Sequence, residues 1–253
     1  MQANRFFKLG IASLLVAAAW PASAGLVTTL PTNLLNANAR LDFSEDAVGA
    51  LDLAGVTRTA LGTATAIGTT GASFNLPVTS ATTELSLIPF SLTSLAGTSN
   101  GAALELNRGA GKDLIIANAA LDFKNKKLNA DVYVNGVKSS LTTVYTFDIA
   151  QGLSLSTKGG LTLHEVVNHL TLTSAAVDTF ASALGLKGAL KATLGSIDYG
   201  SITIDISPTL RLPLGSVSGK AYTPPPVPEP STYALVGLGL LVAAKVARRK
   251  QAA

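Results

Sequence analysis

The sequence has 253 residues, of which 47% are hydrophobic and 13% charged, with a formal net charge of +4 and no cysteine. The absence of cysteine excludes disulfides, thiolate catalysis and zinc–thiolate sites. The positive charge does not indicate nucleic-acid binding, because six of the 19 basic residues lie at the two ends of the chain. The region between the ends has 13 basic and 15 acidic residues, so it is slightly acidic.

Residues 1–24 have the pattern of a secretory signal peptide. Two cationic residues precede an apolar run of about twelve residues, which is shorter than the roughly twenty that a membrane span needs. Ala22 and Ala24 form a small-residue cleavage site directly before Gly25. We therefore expect signal peptidase to remove residues 1–24 and to leave Gly25 as the mature N-terminus.

Residues 25–220 are predicted to form one mainly β, sandwich-like domain with two short helices. This region is poor in charge and rich in Gly, Thr, Ser, Ala and Leu, and it contains many short alternating runs between turn residues. Its length allows a single core. The clearest strand patterns are 113–123, 128–149 (interrupted by one turn), 153–157, 161–165 and 198–206.

Two local patterns fix parts of this sheet. Asn135 and Gly136 both tolerate positive φ, so they predict a two-residue type I′ hairpin. Ile202, Ile204 and Ile206 alternate with polar residues, which predicts a half-buried strand with the isoleucines facing inward.

The helices are predicted at 45–54 and 174–184. Ser44 caps the first, and Thr173 or Ser174 caps the second, because a hydroxyl at this position accepts a hydrogen bond from a free amide of the first turn.

The two helical regions also align with each other, 41–54 with 170–183, without gaps. A Leu-Gly pair follows each helix, at Leu61-Gly62 and Leu194-Gly195, and predicts the start of the next strand. We interpret this as an internal duplication of strand, helix and strand. The alternative is a chance similarity between Ala/Leu-rich segments.

The second copy, from Leu170 to Leu186, resembles the haem-transport-associated surface domains, which are β-rich folds with paired short helices. The resemblance assigns no haem ligand to Tyr133, Tyr145 or Tyr199. From the sequence pattern we expect each tyrosine to pack its ring in the sheet with its hydroxyl at the rim.

His164 and His169, the only two histidines, are five residues apart. A zincin helix needs its histidines four apart on one face, and on a strand an odd spacing places them on opposite faces. We therefore expect no metal role for them. The densest acidic cluster is predicted to be a solvated helix face, with weak calcium binding as the alternative. It consists of Asp42, Glu45, Asp46 and Asp52.

Residues 221–231 are Pro-rich and predict an extended linker. Residues 232–247 then form a predicted transmembrane helix of about 24 Å, with Lys245 reaching the headgroups. The basic tail 248–253 should lie in the cytoplasm by the positive-inside rule.

The segment from Val227 to Lys250 resembles the PEP-CTERM sorting signal. The residues that carry the resemblance are Val227, Pro228, Glu229, Pro230, Arg248, Arg249 and Lys250. The resemblance implies cleavage near the tripeptide by an exosortase, a membrane-embedded processing enzyme, in a Gram-negative host that makes exopolysaccharide. The inner membrane would be a transient stage before the cell surface or the biofilm matrix.

The sequence therefore predicts an exported, non-enzymatic protein without a cofactor. Its β-domain would be a structural or binding module, with exopolysaccharide as a partner. One alternative is a surface protein that binds haem or another small ligand. A hydrolase of matrix polysaccharide and an ice-binding protein are further alternatives.

Overall fold

The computed structural model describes residues 25–87, 90–109, 111–157 and 160–225. Within these residues the chain forms thirteen antiparallel strands of 2 to 18 residues and three short helices. The strands are β1 (Leu26–Pro31), β2 (Leu35–Phe43), β3 (Thr57–Gly62), β4 (Thr65–Ile67), β5 (Ser73–Pro77), β6 (Ser80–Leu87), β7 (Phe90–Asn107), β8 (Asp113–Asp122), β9 (Lys127–Val134), β10 (Val137–Lys138), β11 (Thr143–Ser156), β12 (Thr162–Leu172) and β13 (Gly200–Leu210). The helices are α1 (Glu45–Leu53), α2 (Ser174–Leu184) and α3 (Ala189–Leu194).

All the strands belong to one sheet. Its order is β1-β6-β7-β8-β9-β11-β12-β13-β2-β5-β4, with β10 paired to β9 and β3 paired to β7. Every pairing is antiparallel. Neighbours in the sheet are mostly hairpins or close in the chain, as expected for short connections.

The sheet curls until its two halves face each other. β5 and β6 lie near opposite ends of the strand order, yet the chain passes from one to the other through Val78 and Thr79. The N–H of Val78 donates to the carbonyl of Ala37 on β2 at 3.0 Å, and that of Thr79 donates to Thr98 on β7 at 2.8 Å. The predicted mainly β, sandwich-like fold is confirmed, and its two layers are halves of one curled sheet.

The hydrophobic core lies between these halves. Ile202, Ile204 and Ile206 of β13 are all buried, as their alternation predicts. The hairpin at Asn135-Gly136 is also confirmed, since both residues have positive φ, 50° and 78°, and the turn joins β9 to β10.

Both predicted helices are present, and their caps are Ser44 and Thr173. The prediction for the residues after the helices is wrong. Leu61-Gly62 ends β3 instead of opening a strand, and Leu194-Gly195 ends the additional helix α3. A six-residue helix carries too little periodic pattern to be recognised in the sequence.

Candidate functional site

A cavity lies between the two halves of the sheet. We call it the inner cavity, and its volume is about 50 Å³. One ordered water needs roughly 10–15 Å³, so the space fits a few waters or a narrow chain. Small residues from several strands form part of its lining. These are Ala39, Ala81, Ala96, Gly97 and Ala119.

One ionisable side chain, Glu165, lines the inner cavity among the described residues. It points inward from β12 between Leu163 and Val167, and it is 3% exposed. Its Oε2 accepts a hydrogen bond of 2.5 Å from the hydroxyl of Ser94 on the facing half of the sheet. A bulge at Leu95 in β7 breaks the register next to Ser94, and such bulges redirect neighbouring side chains.

The environment of Glu165 favours its neutral form. Burial raises the pKa of Glu165, and the hydrogen bond from Ser94 only partly offsets this effect. Among the described residues, Ser94 is the side chain that donates to this carboxyl group, through one of its two oxygens. Within the described parts of the chain, no group donates a hydrogen bond to the other oxygen.

Leucines continue the apolar interior beyond the Ser94–Glu165 pair. Leu155 of β11 pairs directly with Leu163 of β12, and Leu85 of β6 pairs with Leu92 of β7 and with Leu26 of β1. Because side chains two residues apart share a face, these leucines lie on the same face as the cavity lining. Leu155 is 57% exposed and Leu26 is 41% exposed. Partly exposed leucines of the β6–β7 and β11–β12 hairpins therefore share the sheet face that lines the inner cavity.

A second apolar cavity adjoins the inner cavity, and both are lined by Leu76, Ser99 and Ala119. Tyr145 and Tyr199 line it, with ring centroids 5.3 Å apart in an edge-on arrangement.

These tyrosines are more deeply buried than the sequence pattern suggested. Tyr199 donates its hydroxyl to the carbonyl of Leu194 at 3.2 Å, and burial raises the pKa of both Tyr145 and Tyr199. Tyr133 is buried on the outer face of the sheet. The expectation of hydroxyls at the rim is wrong for Tyr199, because the curled sheet and α3 enclose it.

The histidines lie outside the cavity. Nδ1 of His164 is 2.7 Å from Asp205 Oδ1, and Nδ1 of His169 is 2.8 Å from Asp198 Oδ2. Both imidazoles lie on the solvent side of the sheet. The prediction that the two histidines lie on opposite faces of a strand is therefore wrong. His169 has a φ of 52° at an irregularity in β12, which removes the strict alternation.

The acidic cluster is not brought together as a metal site. Asp42 accepts from Arg40 at 2.9 Å and from Ser73 at 2.6 Å, and Asp52 is paired with Arg58 at 2.8 Å. Across residues 25–225, apart from the undescribed gaps, no three His, Asp or Glu side chains could hold one metal ion.

The targeting residues fall largely outside the described chain. Ala22 and Ala24 precede it, and the motif from Val227 to Pro230, the helix 232–247 and the tail 248–253 follow it. Gly25 is described, directly before β1. Removal of residues 1–24 remains a prediction. No helix within the described residues is long and apolar enough to span a membrane.

Sequence analysis did not identify Glu165 as an interior residue, although the signal was present. Leu163, Glu165 and Val167 share one strand face, and the first and last are apolar. Ser94 carried no such signal, because a bulge places it.

Comparison with known proteins gives two results. The structure resembles the crystal structure of heme binding protein HtaB from Corynebacterium glutamicum, with a TM-score of 0.40 and 15% identity over 73% of this chain and 96% of that one. No curated protein sequence matches. The family described as the PEP-CTERM protein-sorting motif matches residues 226–250. The chain therefore carries a PEP-CTERM sorting motif, which marks it as a protein that an exosortase sorts to the outside of the cell.

Proposed function

We propose that the exported domain is a non-catalytic binding module that holds a narrow, chain-like apolar molecule in the inner cavity. The observation that carries this proposal is an apolar interior space with a single buried carboxyl group, Glu165, at one point of its wall. Apolar pockets with a few placed polar groups are the usual form of small-ligand sites.

The chemistry of the lining favours binding over catalysis. Glycosidic hydrolysis uses two carboxyl groups across the scissile bond, and Glu165 is the one carboxyl group among the described lining residues. The raised pKa of Glu165 extends the pH range in which this carboxyl group is protonated, and the protonated group can donate or accept one hydrogen bond through its second oxygen. This fits a ligand with one polar group, such as a long-chain alcohol.

A pair of glycine variants tests the cavity. A Cβ added at Gly97 would meet its nearest heavy atom at 3.9 Å, so Gly97→Val should extend into free space without a clash. Gly152 on β11 has no heavy atom within 4 Å of such a Cβ and does not line the inner cavity, so Gly152→Val is the matched control.

The measurement is titration of the secreted protein with a long-chain alcohol that carries a conjugated polyene as its fluorophore. We expect Gly97→Val to weaken binding at least tenfold and Gly152→Val to leave it unchanged. Equal binding by the two variants would contradict the inner cavity as the site. A haemin titration separates the haem alternative, which would produce a Soret band that is lost when Tyr145 or Tyr199 becomes Phe.

The destination of the module is the second part of the proposal. After a transient stage in the inner membrane, cleavage near Pro228-Glu229-Pro230 would release the domain to the cell surface or to an exopolysaccharide matrix. The sorting motif supports this proposal. Mass spectrometry of the extracellular protein should give a C-terminus near the tripeptide. An unchanged C-terminus and surface yield after replacing Glu229-Pro230 by Ala-Ala would contradict it.

A further inference from the structure

The chain does not leave the domain at the end of β13. Val217 is buried, and Tyr222 packs on the outer face of the sheet. We call residues 217–222 the strap. The ring of Tyr222 contacts an apolar cluster that is separate from the main core. That cluster consists of Leu61, Ala103, Ile115, Ala117 and Tyr133.

Asn118 of β8 holds the backbone of Tyr222 at both of its polar groups. Its Oδ1 accepts from the N–H of Tyr222 at 2.7 Å, and its Nδ2 donates to the carbonyl of Tyr222 at 3.0 Å. Oδ1 also accepts from the N–H of Gly101 at 3.0 Å. The side-chain amide thus replaces the peptide group that a neighbouring strand would offer.

Asp131 fixes the orientation of this amide. Its Oδ2 accepts from Nδ2 of Asn118 at 2.8 Å, and its Oδ1 lies 2.7 Å from Nζ of Lys138. Burial acts to raise the pKa of Asp131, but the hydrogen bonds from Lys138 and Asn118 hold it below its usual range. Because an ionised carboxylate only accepts, the Asn118 atom that faces it must be the nitrogen.

Two glycines provide the space for the strap. A Cβ at Gly101 would lie 2.8 Å from the carbonyl oxygen of Lys220, and one at Gly62 would lie 2.9 Å from Cδ2 of Tyr222. Their φ values, 85° and 65°, are also ones that side-chain-bearing residues rarely adopt. Asn118 itself has a φ of 55°. Backbone and side chains together form a built site for one peptide segment.

We propose that the Asn118 site docks the strap during and after C-terminal processing and so determines where the mature protein ends. Pro228 is the sixth residue after Tyr222, which limits the motif to within about 21 Å of the docked residue. A peptidase binds its substrate as an extended, unpaired segment, and the docked strap does not offer one. The docked strap thereby protects residues 217–222, so processing that starts from the motif leaves the C-terminus within 223–231. This inference rests on the sorting motif and not on the ligand of the inner cavity.

Release of the strap should widen the accessible region. The preceding anchor is Arg211, whose Nε donates to Leu35 at 3.1 Å and whose Nη1 donates to Asn38 at 3.0 Å. Residues 212–216 are already exposed, so removal of the Asn118 amide should make residues 217–222 newly available to envelope peptidases.

The test is Asn118→Gly in the full chain, expressed in its native host. Glycine keeps the positive φ and removes the amide. Asn135→Gly is the matched control, since Asn135 also has positive φ, 50°, but lies in the β9–β10 turn. Tyr222→Ala is a second variant, which removes the ring that packs the strap against the outer face of the sheet.

Two readouts decide the outcome. Hydrogen exchange of the purified domain should show the Tyr222 amide exchanging at least tenfold faster in Asn118→Gly than in Asn135→Gly. Mass spectrometry should show one C-terminus within 223–231 for the wild type and additional C-termini upstream of Tyr222 for Asn118→Gly and Tyr222→Ala. Unchanged exchange would overturn the docking. Faster exchange with an unchanged C-terminus would overturn its role in processing.

Discussion

The entries into α1 and α2 have the same hydrogen-bonding pattern, but the two helices are buried to very different extents. At the end of β2, the N–H of Ser44 donates to the carbonyl of Tyr199 at 3.2 Å, and its hydroxyl donates to Asp198 at 2.5 Å. The same hydroxyl accepts from the N–H of Ala47 at 3.0 Å. Ser44 thus caps the helix and also joins it to the segment that precedes β13.

Thr173 repeats this arrangement at the end of β12. Its N–H donates to Val144 at 3.0 Å, its hydroxyl donates to Thr143 at 3.0 Å, and the hydroxyl accepts from the N–H of Ala176 at 3.2 Å. In both units the two carbonyls belong to consecutive residues. This shared pattern is what an internal duplication predicts, although the chain continues into β3 in one case and α3 in the other.

The helices differ in what they bury. α1 buries Ala47 and Leu51, whereas its Leu53 is 82% exposed. α2 buries five side chains, and Phe180, 1% exposed, contacts Tyr145 edge-on at 6.5 Å between ring centroids. Identical local capping therefore coexists with unequal burial, and burial should determine how much each helix contributes to stability.

The largest effect should come from the buried face of α2. We expect Phe180→Ala to lower the free energy of unfolding by about 4 kcal/mol, because a large aromatic cavity remains. Leu51→Ala in α1 should cost about 2–3 kcal/mol, near the lower end for buried leucines. Urea unfolding of the secreted domain measures both. If Leu51→Ala cost as much as Phe180→Ala, the expectation that α2 contributes more to stability than α1 would be contradicted.

Arg108, at the end of β7, connects the two helices. Its Nε donates to Ala54 at 2.7 Å, and its Nη1 donates to Leu184 at 3.2 Å and to Gly185 at 3.0 Å. A cation at a helix C-terminus also interacts favourably with the helix dipole. One guanidinium therefore serves the free carbonyls of both helices.

Removal of this guanidinium should weaken both helix ends together. We expect Arg108→Met to cost about 2–3 kcal/mol, since hydrogen bonds from a charged donor are worth roughly 1.5–3 kcal/mol each and water replaces part of the loss. Hydrogen exchange should increase near residues 54–56 and 184–186. An increase at only one helix would show that Arg108 does not connect them.

The two caps should have smaller and nearly equal effects. Ser44→Ala and Thr173→Ala each remove a helix cap and a hydrogen bond to a neighbouring segment of the sheet. We therefore expect each variant to lower the free energy of unfolding by about 1–2 kcal/mol. Thr173→Ser keeps the hydroxyl and is the control. Because the capping pattern is the same, a difference larger than about 1 kcal/mol between the two alanine variants would break the comparison.

Features that depend on neighbouring residues in the chain were predictable from the sequence. The caps at Ser44 and Thr173, the Asn135-Gly136 turn and the inward isoleucines all follow from short patterns. Long-range partners were not. Arg108 meets residues more than 50 positions away, and a single sequence does not reveal such contacts.

The candidate site shows the same division. The inward position of Glu165 was available from strand alternation, but Ser94 was not, because a bulge in β7 redirects it across the curled sheet. The Asn118 site also depends on closure of the chain over 104 positions. Alternation gives the face of a residue, whereas the curvature of the sheet determines what it meets.

The smallest expected effect concerns the buried carboxyl group of Glu165. On β13, Ile204 lies between Glu165 of β12 and Ala39 of β2. Because burial raises the pKa of Glu165, the folded state binds this proton more tightly than the unfolded chain does. The free energy of unfolding should therefore fall as the pH rises from the ordinary glutamate range through the raised pKa.

Glu165→Gln should lack this fall and be the more stable protein at neutral pH, whereas Glu84→Gln, on the outer face of β6, should keep it. Parallel pH dependences of the wild type and Glu165→Gln in urea unfolding would contradict the buried carboxyl group of raised pKa on which the proposed ligand site depends.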